Sequence, residues 1–218
     1  MIERDYIMRM IQMLVQALID IVFYRGKKDF PRALQEIRTA SKTLLSIDLD
    51  IFRNLSDGQI IEMLTMVREF GGLKCYLAGR LLKEEAEILD LQGKKEESNE
   101  AGIKSLSLLT ESVMIDGVPL DADHQAAVNS VTERLKFIDL PVHINRKLFH
   151  YYELVHEYGK AEDALFTIIE KEPEFIEEGL SFYQRLSNKA DADLSAGNLP
   201  REEVERGMTE LRDRKKLV

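Results

Sequence analysis

Residues 5–25 limit what this chain can fold into more than any other segment, because they are almost continuously apolar. The polar residues in the central part of the segment are Arg9, Gln12, Gln16 and Asp20. They recur every three or four residues, so on a helix they form one narrow stripe and leave the rest of the circumference apolar. We expect such a helix to be covered on several sides, either by other helices of the chain or by a second copy of it.

The position of this helix at the start of the chain favours the second copy. A terminal hairpin of a helical repeat normally presents a polar outer face, and this one does not. Leaving several of its apolar side chains in water would forfeit about 1.5–3 kcal/mol each. We therefore predict a homodimer through the N-terminal helix, with later helices folding back over it as the alternative. The candidate contact residues are Met8, Ile11, Val15, Leu18 and Val22.

The charge of the chain limits its partners. The formal net charge is −9 over 218 residues, and an acidic surface repels both phosphate backbones and anionic lipid, so we expect no nucleic acid and no membrane partner. The apolar N-terminal segment lacks the basic start and the cleavage site of a signal peptide. Arg9 and Asp20 would each be costly inside a bilayer. These features predict a cytoplasmic protein.

The fold class follows from helical periodicity along the whole chain. Apolar residues recur at helical spacing between glycine and proline breaks, and no segment alternates with the period of a strand. We predict an all-α fold in a single domain, residues 1–218. The polar segment 188–198 is expected to be a mobile linker, and a capping helix is expected over 200–214.

Three helix–turn–helix units can be superimposed on the sequence. Their turn glycines are Gly26, Gly93 and Gly159, which lie 93 − 26 = 67 and 159 − 93 = 66 residues apart. In each unit the residues eleven and four before the glycine are apolar, and a small residue follows on the next helix. A small residue there allows two antiparallel helices to approach closely.

These units resemble the tetratricopeptide repeat (TPR). The closest segment is 148–173, LFHYYELVHEYGKAEDALFTIIEKEP, with its turn glycine, an alanine five residues later and a closing proline. The opening DYIMRMI is also similar to that of an uncharacterised bacterial family with TPR-like helices. The resemblance implies stacked antiparallel hairpins in a TPR-like α-α superhelix, with a concave groove lined by the inner helices. An irregular helical bundle is the alternative.

Several side chains have the spacing of metal sites without forming a complete one. Glu153 and His156 match the E-x-x-H pair of di-iron helices, but no second pair exists. His143 and His150 are seven residues apart, with no further zinc ligand beside them. Asp116, Asp121 and Asp123 surround a turn, where helix capping explains them. We therefore predict no metal and no cofactor.

No nucleotide-binding loop or nucleophile motif occurs in the sequence. We therefore expect a non-enzymatic module that binds a protein or peptide partner in its groove, with some aromatic side chains of the inner helices as anchors and at least half of the candidates in the core. The candidate partner-binding residues are Phe149, Tyr151, Tyr152 and Tyr158. The alternative is a helical enzyme or small-ligand sensor, for which a buried polar pocket containing His150, Glu153 and His156 would be the evidence.

Overall fold

The computed structural model describes residues 2–67, 69–115 and 121–216, with side chains from residue 5 onward. Within these ranges the chain forms eleven α-helices and two short 3-10 helices, and no strand, which confirms the all-α prediction. The predicted turn at 116–119 lies outside the described residues. The α-helices are α1 (Ile2–Gly26), α2 (Phe30–Leu45), α3 (Asp57–Thr65), α4 (Gly71–Leu91), α5 (Lys95–Ile115), α6 (Ala122–Arg134), α7 (Val142–Leu154), α8 (Tyr158–Lys171), α9 (Ile176–Ser187), α10 (Asp191–Ala196) and α11 (Arg201–Lys215).

The helices group into two compact units, residues 1–139 and 140–218. The first contains α1 to α6 and the second contains α7 to α11. Stacking of their hairpins into a single TPR-like domain stays a prediction.

The first unit is built around α4. This helix contacts α1, α2, α3, α5 and α6, and it is buried on nearly all sides. Its closest neighbour is α5, because Gly79 lets the two backbones approach: a Cβ on Gly79 would lie 2.9 Å from Cγ of Leu109. The Ser105 hydroxyl of α5 donates a hydrogen bond to the Gly79 carbonyl at 2.7 Å. A small residue on each helix therefore allows the close packing of α4 on α5.

Local capping sets where the helices of this unit begin. The Asp29 carboxylate accepts from the Arg32 amide before α2, and Pro31 lies in the first turn, where its missing N–H costs nothing. Ser56 starts α3, and its side chain forms a reciprocal capping box with Gln59.

Two of the three predicted turn glycines lie where the repeat pattern places them. Gly26 ends α1 just before the turn into α2, and Gly93 lies between α4 and α5 with φ +78. The prediction for Gly159 was wrong. This residue lies in the first turn of α8, and His156 takes the left-handed position of the turn with φ +62. Gly159 is needed for another reason, since a Cβ there would meet the Asn198 carbonyl oxygen at 2.6 Å.

The second unit consists of the α7–α8 hairpin followed by α9, α10 and α11, with α9 packed on α11. The segment 188–198 differs from the expected mobile linker: it contains α10, and Leu194 is fully buried. Arg201 holds the segment by donating to the carbonyls of Ser187 and Lys189. The Gly159 amide of α8 also donates to the Gly197 carbonyl at 2.9 Å, so a segment that is otherwise small and polar is held at several points.

Candidate functional site

The first helix has two apolar faces, and only one of them is covered. Met10, Leu14 and Ile21 are buried where α1 contacts α2 and α4. At the end of the helix Arg25 forms ion pairs with Glu84 and Glu87 of α4. Glu84 is itself buried, so these contacts tie α1 firmly to the core of the first unit.

The second apolar face of α1 points into solvent. We call Met8, Ile11, Val15, Ile19 and Val22 the outer face of α1. Four of these side chains are about half exposed: Met8 50%, Val15 47%, Ile19 56% and Val22 45%. Single exposed apolar residues are ordinary on a soluble protein, but a contiguous row of them marks an interaction surface.

The contact residues predicted from the sequence agree with the outer face of α1 except at one position. The predicted contact residues Met8, Val15 and Val22 are exposed, whereas Ile11 and Leu18 are partly covered. Ile19 is the most exposed of the row and was missed. Leu18 lies closer to the covered side, so Ile19 takes its place in the outer face.

A row of charged side chains runs along one flank of α1, separated from the outer face by Gln12 and Gln16. Asp5, Arg9 and Asp20 follow one another at multiples of about one helical turn. The Lys27 ammonium continues this row, because it lies over the Phe23 ring, 4.0 Å from the centroid. In the described part of the chain, neither Arg9 nor Asp20 has an ion-pair partner. The Asp20 carboxylate accepts a weak 3.4 Å hydrogen bond from Gln16.

The segment Asp5–Gly26 is long and apolar enough to cross a membrane, by length and composition only, with a mean hydropathy of 1.6. Only 17% of its most apolar window is buried. A core helix of a soluble protein passes the same test, and so does a signal sequence, so the composition alone decides nothing. To cross a membrane, α1 would have to give up its contacts with the core, which are made by Met10, Leu14, Ile21 and Arg25.

The four predicted aromatic anchors are core residues. Phe149, Tyr151, Tyr152 and Tyr158 are all at least 95% buried. Phe149 packs edge-on against Phe182 of α9, and Tyr151 against Tyr152. Burial raises the pKa of Tyr151 well above its usual value. The prediction that these side chains anchor a partner was therefore wrong, because all four are buried inside the second unit, where α8 packs on α7 and Phe182 of α9 contacts Phe149.

The predicted pairs of possible metal ligands are separated by structural contacts. Glu153 forms a bidentate ion pair with Arg185 at 2.6 and 2.8 Å, while the His156 ring stacks on Tyr158 in the turn after α7. Asp121 caps α6 by accepting from the His124 amide at 2.8 Å. Among the described residues, no three His, Cys, Asp or Glu side chains come together as a metal site.

A buried polar network that the sequence analysis did not identify joins α4, α5 and α6. His124 lies on the same face of α6 as Ala127, Val128 and Val131. Its spacing of three, four and seven residues from these apolar side chains indicates that it points into the core. Its Nε2 lies 3.0 Å from the Leu109 carbonyl and 3.1 Å from the Ser112 hydroxyl, and its ring stacks on Tyr76.

This Ser–His contact does not have the arrangement of a nucleophile and its base. Burial lowers the pKa of His124, which favours the neutral ring. The carbonyl beside Nε2 favours the tautomer that carries its proton there, so that nitrogen donates and cannot take a proton from Ser112. The Ser112 hydroxyl donates to the Leu109 carbonyl at 2.7 Å instead. The contact therefore holds three helices together rather than activating an oxygen.

Arg80 and Asp123 extend this network to the surface. The Arg80 guanidinium donates to the Tyr76 hydroxyl at 2.6 Å and forms an ion pair with Asp123. The hydrogen bond from Arg80 holds the pKa of Asp123 below its usual value. Both charges are thus paired, and the network links the starts of α4 and α6.

A pocket of about 390 Å³, including its space open to solvent, lies between the 3-10 helix Leu49–Asn54 and the α4–α5 hairpin. Its cations already have partners in the fold. Arg53 pairs with the buried Glu85 at 2.7 Å, and the Lys104 ammonium donates to the carbonyls of Phe52 and Arg53 at 3.0 Å. The pocket is therefore a secondary candidate beside the outer face of α1.

Comparison with known proteins identifies a family for the chain. No curated protein matches it, and no solved structure matches it either. Residues 1–216 match a family described as a family of unknown function (DUF6483). Since this match covers nearly all of the 218 residues, the chain belongs to the DUF6483 family.

Proposed function

We propose that this protein is a non-enzymatic interaction module of the cytoplasm, and that the outer face of α1 is the surface through which it binds another protein. The observation that carries the proposal is the row of half-exposed apolar side chains on a helix that is firmly held by its other face. A rigid helix with a free apolar row is half of a helix–helix interface.

The chemistry of the face indicates what it binds. The outer face runs from Met8 to Val22, which is 14 residues along the helix. Since a helix rises 1.5 Å per residue, this strip is about 21 Å long. Such a strip matches the apolar row of a second helix of similar length. Arg9 and Asp20 beside it supply a polar rim that selects an orientation of the bound helix.

The alternative, an enzyme or small-ligand sensor, is supported by the pocket beside Phe52. We place it second because the cations around that pocket, Arg53 and Lys104, are used by the fold itself. The His124 network is enclosed by helices and has the hydrogen bonds of a structural cluster.

The proposal is tested by photo-crosslinking in the source cell. A benzophenone amino acid replaces Val15 in the full chain, and a matched variant carries it at Glu96, an exposed residue of α5. We expect protein adducts from position 15 and none from position 96. Adducts of equal yield from both positions, or adducts to lipid alone from position 15, would contradict the proposed function.

A further inference from the structure

We propose that the outer face of α1 binds a second copy of this chain, with the two α1 helices antiparallel and a two-fold axis at Val15. This inference rests on the proposed function and names the partner of the same surface. It is carried by two independent patterns on α1, one of apolar side chains and one of charges.

The apolar pattern is symmetric about its own centre. In an antiparallel pair with its axis at position 15, residue i of one copy lies opposite residue 30 − i of the other. Met8 then faces Val22, Ile11 faces Ile19, and Val15 faces its own copy. Every exposed apolar side chain of the outer face meets an apolar partner. An isologous contact requires this self-complementarity, whereas the surface for an unrelated partner does not.

The charge pattern selects the antiparallel orientation. The row beside the outer face runs acidic at Asp5, basic at Arg9, acidic at Asp20 and basic at Lys27. In an antiparallel pair the same side of each helix meets, so Arg9 comes within one residue of the second copy's Asp20. Asp5 comes within two residues of the second copy's Lys27. In a parallel pair the two-fold axis would run along the helices and place the two charge rows on opposite sides of the contact, so these opposite charges would not meet.

A bilayer does not satisfy the charge pattern. It offers no opposite charges for Arg9 and Asp20, and ionised side chains are costly in hydrocarbon. A spanning helix would also have to release Met10, Leu14 and Ile21 from α2 and α4 and leave the buried Glu84 without Arg25. The second copy covers the outer face while every one of these contacts remains.

Disulfide crosslinking of the purified full-length protein tests both the contact and its direction. The variants are V15C, M8C and V22C. Each keeps the native Cys75, which is fully buried and therefore does not compete in crosslinking. On oxidation at micromolar concentration we expect V15C to form a covalent dimer and M8C alone to form none, because two Met8 positions would lie about 21 Å apart. A mixture of M8C and V22C should form the heterodimer.

Four results would overturn the inference. Rapid crosslinking of M8C with itself would mean a parallel pair. A wild-type monomer in sedimentation at micromolar concentration, with no crosslink from V15C, would mean that no second copy binds. Flotation of the wild type, but not of a V15E variant, with vesicles of phosphatidylcholine and phosphatidylglycerol would assign the face to a bilayer. Cellular adducts from position 15 to a different protein would also overturn this inference while leaving the proposed function intact.

Charge reversal tests the orientation without new cysteines. R9D and D20R should each weaken self-association roughly 2- to 30-fold, because each removes two symmetry-related surface ion pairs. The double variant R9D/D20R should restore it, since the opposite charges again face each other. The matched control R32D reverses an exposed charge of α2 and should leave association unchanged. Equal association of all four variants would contradict the antiparallel contact.

Discussion

Replacing Gly79 by alanine tests the close packing of α4 against α5. The new Cβ would lie 2.9 Å from Cγ of Leu109, 3.1 Å from its Cδ2 and 3.2 Å from its backbone nitrogen. Leu109 is fully buried in the middle of α5, so the relief has to come from a shift of one helix against the other. Such a shift also lengthens the hydrogen bond from Ser105 to the Gly79 carbonyl.

Two costs and one gain set the expected size of the G79A effect. Overpacking in a dense core costs about 1–3 kcal/mol, and a weakened buried hydrogen bond adds about 1 kcal/mol. Alanine recovers about 1 kcal/mol through its higher helix propensity. We therefore expect the free energy of unfolding to fall by about 1–3 kcal/mol.

Urea unfolding followed by far-UV circular dichroism measures the change. With a slope of about 1–3 kcal/mol per molar urea, the midpoint should fall by roughly 1 M. If the two compact units unfold separately, the shift belongs to the transition of residues 1–139. The matched control is G58A in α3, whose new Cβ would have no atom nearer than the Ser56 hydroxyl at 4.0 Å. This variant should be unchanged or slightly more stable, and a G79A protein as stable as G58A would refute the packing argument.

Three further predictions address the buried polar groups and one turn. Burial lowers the pKa of His124 below its unfolded value of about 6.5. As the pH falls below 6.5 the unfolded chain therefore binds the proton first, and the free energy of unfolding decreases by at most about 1.4 kcal/mol per pH unit. In urea titrations from pH 7.5 to 5, the H124N variant should lose this dependence on pH. R53M should cost about 1–3 kcal/mol because it removes the hydrogen-bonded partner of the buried Glu85 carboxylate beside a pocket that is open to solvent, and the double variant R53M/E85Q should recover most of that loss in the same assay; equal stability of the two variants would contradict the role of this ion pair. Gly93→Ala should cost about 1 kcal/mol through backbone strain alone, because φ is +78 and no atom lies within 4 Å of the new Cβ; a thermal midpoint equal to that of the wild type would refute this.

The first helix shows how far sequence patterns reach. The spacing of its apolar residues predicted a helix with more than one apolar face, and the structure has two such faces. The sequence analysis assigned Leu18 instead of Ile19 to the outer face, because consecutive residues are separated by only about 100° on a helix. Which of them is covered depends on where α2 and α4 lie, and residues 5–25 carry no information about that.

The aromatic residues of α7 show the opposite case. Phe149 and Tyr152 were candidate anchors for a partner because a repeat would place them along a groove. They are buried because α8 packs on this helix and Phe182 of α9 contacts Phe149. A hydrophobic aromatic side chain suits a core and an interface equally well, so its residue type does not distinguish the two.

The sequence by itself determined the helical class, the ends of helices such as α2 and α3, and the apolar segment that provides the candidate site. These features depend on interactions within a few residues: periodicity, capping side chains and turn glycines. Only the tertiary structure decided that Gly159 contacts Asn198, that His124 joins three helices, and that one face of α1 stays in solvent. Burial is a sum of contacts between segments that are distant in the chain, and local patterns do not specify which segments meet.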